Sequence, residues 1–124
     1  MYRKLAATCL AALAFTTAAQ AHPKLLSTIP AAQSTDTKVR RIELHFSERL
    51  MPAFSGVDLV MTSMPGMKMA QPMQVALHSA VSPDGLTLTG TPDKPLSAGS
   101  YEVRYHVVST DTHRVQAAYA FTVR

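Results

Sequence analysis

The sequence predicts an all-β domain, a small two-sheet sandwich of short strands behind a cleavable leader. Three observations carry this reading. Pro and Gly interrupt the chain at Pro30, Pro52, Gly56, Pro65-Gly66, Pro72, Pro83, Gly85, Gly90, Pro92, Pro95 and Gly99, so no stretch of helical length survives between residues 50 and 100. Between the interruptions, apolar and polar residues alternate with period two. About seven such segments follow one another at roughly 8–12-residue spacing, the rhythm of a sandwich or barrel.

The chain opens with Met1-Tyr2-Arg3-Lys4, an apolar run from Leu5 to Ala19, and Ala19-Gln20-Ala21, a small-x-small cleavage pattern. That is the layout of a secretory signal peptide over residues 1–21, with the β domain in residues 22–124. The run is shorter than the roughly 20 apolar residues a spanning helix needs. Cys9 does not mark a lipoprotein signal, because most of the apolar run follows it.

Leu25-Leu26 starts the first strand. Val39 to Phe46 places Ile42, Leu44 and Phe46 on one face and Arg41, Glu43 and His45 on the other. Val57 to Met61 is a short apolar strand. Gln74–His78 and Leu86–Gly90 read as strands joined around the turn Ser82-Pro83-Asp84-Gly85. Tyr101, Val103, Tyr105 and Val107 point inward from the next strand, and Ala117, Tyr119, Phe121 and Val123 repeat the pattern at the C-terminus. Strands with one polar face imply antiparallel sheets sharing one core. Met61 to Met73 does not fit the pattern and is expected to be a loop.

Composition narrows the function. Of 124 residues, 47% are hydrophobic and 16% charged, which excludes a disordered chain. Removing Arg3 and Lys4 with the leader leaves ten basic against eight acidic residues, net +2. No basic run supports a nucleic-acid partner. Cys9, the single Cys, leaves with the leader. The domain therefore has no disulfide, no Cys nucleophile and no thiolate metal site.

Five methionines, Met61, Met64, Met67, Met69 and Met73, fall within thirteen residues. Methionine commonly fills gaps in a core, and the spacing of Met61, Met64 and Met67 also matches a helix face. Pro65-Gly66 breaks any such helix, and the segment lacks the Leu, Ile, Val and Phe that a core loop uses. The remaining reading uses the thioether, a neutral, soft ligand that favours Cu(I). An exported protein without Cys has reason to use it.

Cleavage after Ala21 makes His22 the first residue. Its α-amine and imidazole can then chelate one metal. Pro23 has no N–H, so a metal cannot displace the next amide proton. A signal cut must leave some residue first, so this placement alone is not decisive. Asp111 and His113 lie two apart between the last two strands, on the same side of extended backbone. An Asp capping a turn beside a surface His is the commoner meaning of that pair. Combined with His22, it makes a nitrogen and oxygen set suited to tetragonal Cu(II). His45 and His106 fall on outward faces, and His78 ends a strand. Glu48 follows a strand, where it caps a turn or binds metal.

These residues are similar to a known family. His22-Pro23-Lys24-Leu25, Ile42-Glu43-Leu44-His45-Phe46-Ser47-Glu48, Ser55-Gly56 through Met64-Pro65-Gly66-Met67, Leu96-Ser97-Ala98-Gly99-Ser100-Tyr101 and Val108-Ser109-Thr110-Asp111-Thr112-His113 resemble the CopC family of periplasmic copper-resistance proteins. The resemblance covers essentially the whole chain after residue 21. It implies an immunoglobulin-like Greek-key β-sandwich or barrel carrying copper in the periplasm. It implies a Cu(II) site of His22, Asp111 and His113, with Glu48 as a further ligand or a group behind them. It also implies a Cu(I) site of Met61, Met64, Met67 and Met73. Members commonly have a His in that loop. Here Met69 takes the aligned position, and no His occurs between residues 46 and 77.

The expected function is thus a copper carrier, not an enzyme, with an inner-membrane copper transport protein as the partner the resemblance implies. Neither a nucleic acid nor a small-molecule substrate is expected. The alternative is a copper monooxygenase using the N-terminal His chelate, which needs an open position on the metal. An immunoglobulin-like adhesion or chaperone module, its methionines meeting an apolar partner, is the third class.

Overall fold

The computed structural model describes residues 22–124. The leader expected over residues 1–21 lies outside the described residues.

Nine strands form two sheets: β1 (Leu25–Ile29), β2 (Thr35–Asp36), β3 (Ile42–Phe46), β4 (Gly56–Met64), β5 (Met67–Val75), β6 (Leu77–Val81), β7 (Thr87–Pro92), β8 (Gly99–Val108) and β9 (Arg114–Val123). One sheet has the order β1-β3-β7-β6 and the other β2-β9-β8-β4-β5. The chain changes sheet after β1, β2, β3, β5 and β7, so β8 pairs with β4 rather than with β7. These crossings give the sandwich its Greek-key character. All pairings are antiparallel except the two-residue β2, which runs parallel to the end of β9.

The core follows the alternation of β3 and β8; of the β9 residues expected inward, Phe121 and Val123 are buried, Tyr119 is half-buried and Ala117 is exposed. Ile42, Leu44 and Phe46 from β3 meet Tyr101, Val103, Tyr105 and Val107 from β8, and all are buried. Phe46 and Tyr105 pack edge to face across the two sheets at 5.7 Å, and Tyr101 stacks on Phe121 at 5.5 Å. Each large side chain so removed from water contributes about 1.5–3 kcal/mol. A Cβ at Gly90 would stand 2.8 Å from Val57 Cγ1, so the sheets meet there only because β7 carries a glycine.

Two expectations fail. The methionine segment is not a loop. Met61 to Met64 extends β4, Met67 to Val75 forms β5, and the two strands make an antiparallel hairpin. Pro65 and Gly66 form its tip, where Gly66 takes φ 71°, as the second central residue of a Pro-Gly turn requires. Outward-facing edge-strand residues need not be Val or Ile, so composition conceals the strand. Gln74–His78 is also not one strand. Val75 pairs with Leu59 in one sheet and Leu77 with Pro92 in the other. The chain switches sheets at Ala76 while staying extended, so the period-two pattern runs through the corner unbroken.

Candidate metal centre

At one end of the sandwich the N-terminal segment and the β8–β9 turn converge on the chain just after β3. Lys24 N–H donates to Ser47 Oγ (2.9 Å), and Ser47 N–H returns a bond to the Lys24 carbonyl (2.9 Å). On the other side of Glu48, the Thr110 N–H donates to the Arg49 carbonyl (2.9 Å). Pro23 is buried, which seats the segment. These bonds bring His22 over the turn. Its ring packs edge-on against His113, with centroids 4.6 Å apart and planes at 68°. Sequence separation of 91 residues is thereby reduced to ring contact.

The turn holds its own geometry. Ser109 N–H donates to the His113 carbonyl (2.9 Å), and Thr112 N–H to the Ser109 carbonyl (2.8 Å). Thr112 sits at φ 72°, a left-handed conformation that a β-branched residue seldom takes. Asp111 Oδ1 accepts the Ser109 hydroxyl, and its Oδ2 lies 3.1 Å from His113 Nδ1. That ring nitrogen is buried, out of line for a hydrogen bond to Oδ2, and has no other partner among the described residues. The Ser109 hydrogen bond chiefly, and then the contacts with His113, hold the Asp111 carboxyl below the usual carboxylate range, against a smaller opposing effect of burial.

This arrangement fits a divalent ion. Two donors each ~2.0–2.1 Å from one metal, at a right angle, stand roughly 2.9 Å apart. The separation of Asp111 Oδ2 and His113 Nδ1 is close to that, and an unpartnered buried nitrogen is a donor without a proton acceptor to explain it. The site is not a finished cage: among the described residues, no three His, Cys, Asp or Glu side chains form a complete ligand group. In the 124-residue chain, the His22 nitrogen belongs to the Ala21–His22 peptide and is not an amine. Glu48 is half-buried at the same end, flanked by the residues that bond both converging segments.

The methionines occupy the opposite end. Met61 pairs with Tyr101 at the start of β8, while Ser109 follows its last residue. At about 3.3 Å per residue, roughly 25 Å separates them. Met61, Met64 and Met73 line one cavity of about 600 Å³ with Asp93, Leu96 and Tyr101. Met61↔Met73 and Met64↔Met67 are cross-strand pairs, and four residues of β5 span the gap that one residue of β4 spans. Met61 is 5% exposed and belongs to the core, and Met69 packs partly buried against it. Met67, at 62% exposure, stands at the tip outside the cavity. Three of the five candidate methionines therefore line one cavity.

Of the other histidines, His78 borders the methionine cavity through Asp93, while His45 and His106 line neither cluster. His45 is half-buried rather than solvated, with Nδ1 3.2 Å from Thr87 Oγ1 and Nε2 3.3 Å from Glu43 Oε2. His106 is also half-buried, against Gly56. His78 is exposed, 3.5 Å from Asp93. Sequence reasoning missed Ser109. Its signal was a serine two residues before Asp111, a common turn pattern that becomes informative only when the hydroxyl is known to be buried.

Comparison with known proteins agrees with this picture. Residues 25–124 match the family profile described as the CopC domain. The chain is 45% identical over 125 residues to the copper resistance protein C of Xanthomonas campestris pv. juglandis, covering 99% of this chain and 98% of that one. It is 47% identical over 106 residues to the protein of the same name from Pseudomonas syringae pv. tomato, covering 86% and 83%. Among solved structures, it is similar to PcoC, a methionine-rich copper resistance protein from Escherichia coli, with a TM-score of 0.76 at 41% identity, covering 84% of this chain and all of that one. CopC from Methylosinus trichosporium OB3b superposes with a TM-score of 0.70 at 25% identity, covering 82% and 93%.

Proposed function

The chain belongs to the CopC family, and from that premise we propose that it is a periplasmic copper carrier with two sites of opposite softness. The observation that carries the reading is the contact of the His22 ring with His113, whose unpartnered Nδ1 faces Asp111 Oδ2. Cleavage after residue 21 frees the His22 amine, which completes a hard Cu(II) site with His22, Asp111 and His113. Glu48 stands close enough along the chain to be a further ligand or to orient one. Ligand exchange begins with loss of protons from amine and imidazole, since only the neutral forms bind metal.

At the other end, Met61, Met64 and Met73 hold Cu(I) in their shared cavity. Met67, exposed at the hairpin tip, meets the incoming ion first, and Met69 shores up the wall. Thioethers need no deprotonation, so this site selects by softness rather than by pH. The roughly 25 Å between the sites forbids a shared ion. Copper passes between them only by release, or between molecules, and an inner-membrane transporter is the proposed receiver or donor. The protein is a carrier and not a monooxygenase, because the Asp111 carboxylate fills a metal position that oxygen chemistry needs open.

The test is Cu(II) titration of the chain beginning at His22, followed by electron paramagnetic resonance. A tetragonal spectrum with nitrogen coupling, lost in His113→Ala, is the expected result. A spectrum unchanged by that substitution rejects the site.

A further inference from the structure

We propose that Ser109 is a positioning residue for copper, acting through Asp111; the inference rests on Asp111 being a Cu(II) ligand. Ser109 is the one buried polar residue of the core inventory among the described residues, at 1% exposure. A buried hydroxyl needs a partner. Two acceptors are in reach: Asp111 Oδ1, in a close hydrogen bond, and the His113 carbonyl at 3.4 Å. A hydroxyl has one proton, and the carboxylate takes it because a charged acceptor makes the shorter, stronger bond.

The consequence is a division of labour between the two carboxylate oxygens. Oδ1 is held by Ser109, with the His113 N–H a distant 3.5 Å away. Oδ2 is left as the donor, aimed at the side of the turn where His113 Nδ1 and the His22 ring lie. Without the hydroxyl, only the long His113 N–H contact to Oδ1 and the Nδ1 contact to Oδ2 oppose rotation of the carboxylate about its last torsion, which is broad for Asp. The carboxylate would then present either oxygen, or neither, to the ion.

Ser109 can set this angle because its own position is fixed. It bridges to the buried Leu50, its N–H holds the His113 carbonyl, and its carbonyl holds the Thr112 N–H. Those bonds also sustain the left-handed Thr112 between the two ligands. The serine thus links the core to the free end of the site. Outer groups of this kind orient metal ligands, and their loss typically weakens binding about 10–100-fold.

The test is a double-mutant cycle on the chain beginning at His22: Ser109→Ala, Asp111→Ala and the two together. Cu(II) affinity is read by chelator competition and the site by electron paramagnetic resonance. Thermal melting of the metal-free proteins confirms that each is folded, and Ser109→Gly replaces Ser109→Ala if that variant is not. The expected result is a loss of about 10–100-fold and an altered spectrum in Ser109→Ala, with no further loss when Asp111 is already Ala. Equal losses in both backgrounds overturn the inference, because the serine then acts on something other than Asp111. Wild-type affinity and spectrum in Ser109→Ala, with Asp111→Ala weakened, overturn it while leaving the ligand set intact. An Asp111→Ala protein that binds Cu(II) like wild type overturns the ligand set and this inference together.

Discussion

The two ends of β8 are built by opposite means. The Asp111–His113 turn is short, tied to the core through Ser109 and Leu50, and closed by backbone bonds across Ser109, Thr112 and His113. The methionine hairpin is long, lies at a sheet edge, and pairs irregularly, with unequal residue counts on its two strands. Under the proposed function, the difference follows ligand chemistry. Imidazole and carboxylate around Cu(II) demand fixed angles, and a turn in a strained conformation supplies them. Thioethers around Cu(I) tolerate variable geometry, and unbranched side chains on an edge strand supply reach instead.

The sharpest way to break this contrast is to remove one end and assay the other. His113→Ala is expected to weaken Cu(II) binding by at least about 100-fold, since losing a ligand exceeds losing its support. Cu(I) affinity, measured with a competing chromophoric chelator, stays within about threefold because the sites lie a strand length apart. Parallel losses of both ions would mean one site, not two.

Within the hairpin, Met61 has two duties that can be separated. Met61→Ala removes a buried side chain and should cost about 2–5 kcal/mol in denaturant unfolding. Met61→Leu keeps the volume and should cost less than about 1.5 kcal/mol, while still lowering Cu(I) affinity. A Leu variant with full Cu(I) affinity would leave Met61 as core alone.

Acid should distinguish the ends next. Cu(II) affinity is expected to be lower at pH 5 than at pH 7, since protons compete with the metal for nitrogen donors, and Cu(I) affinity to change much less. Asp111 is not the group that titrates in this range. Its folded carboxyl is held below the ordinary value, so the stability it contributes is present above about pH 4. That contribution is lost only as pH falls further, through the depressed value. Chelator competition at pH 5 and 7 checks the first statement, and acid unfolding of Asp111→Asn against the parent below pH 4 checks the second.

The smallest effect belongs to Met67. Exposed at the tip, it is expected to change stability by no more than about 0.5 kcal/mol when replaced by Ala. A larger loss in thermal melting would show that the tip packs against something and is not free to receive an ion.

Much of this was legible in the residues. The alternation in β3 and β8 marked Ile42, Leu44, Phe46, Tyr101, Val103, Tyr105 and Val107 as core, and all are buried. Period two survives because strands with one wet face must alternate. It failed at Ala76, where an extended chain changed sheets without breaking the pattern, and in β5, where an edge strand made of Met, Lys, Gln and Pro does not look like one. The candidate residues His22, Asp111, His113 and the methionines could be named from chemistry and grouped by the resemblance, but which methionines share a cavity could not be read from sequence. Met67 and Met69 are indistinguishable from Met64 and Met73 in sequence, yet only the latter two share the cavity with Met61.

The order of residues by itself determined the strands with one wet face, most of their inward faces and the donor chemistry each segment carries, because these depend on local periodicity and on side-chain softness. Tertiary structure alone decided how close residue 22 comes to residue 113, that one serine reaches the Asp111 carboxylate from the core, and that the two clusters stand at opposite ends of one strand. Those facts depend on sheet order and register, which arise from packing two faces into one core and leave no mark on any single stretch of chain.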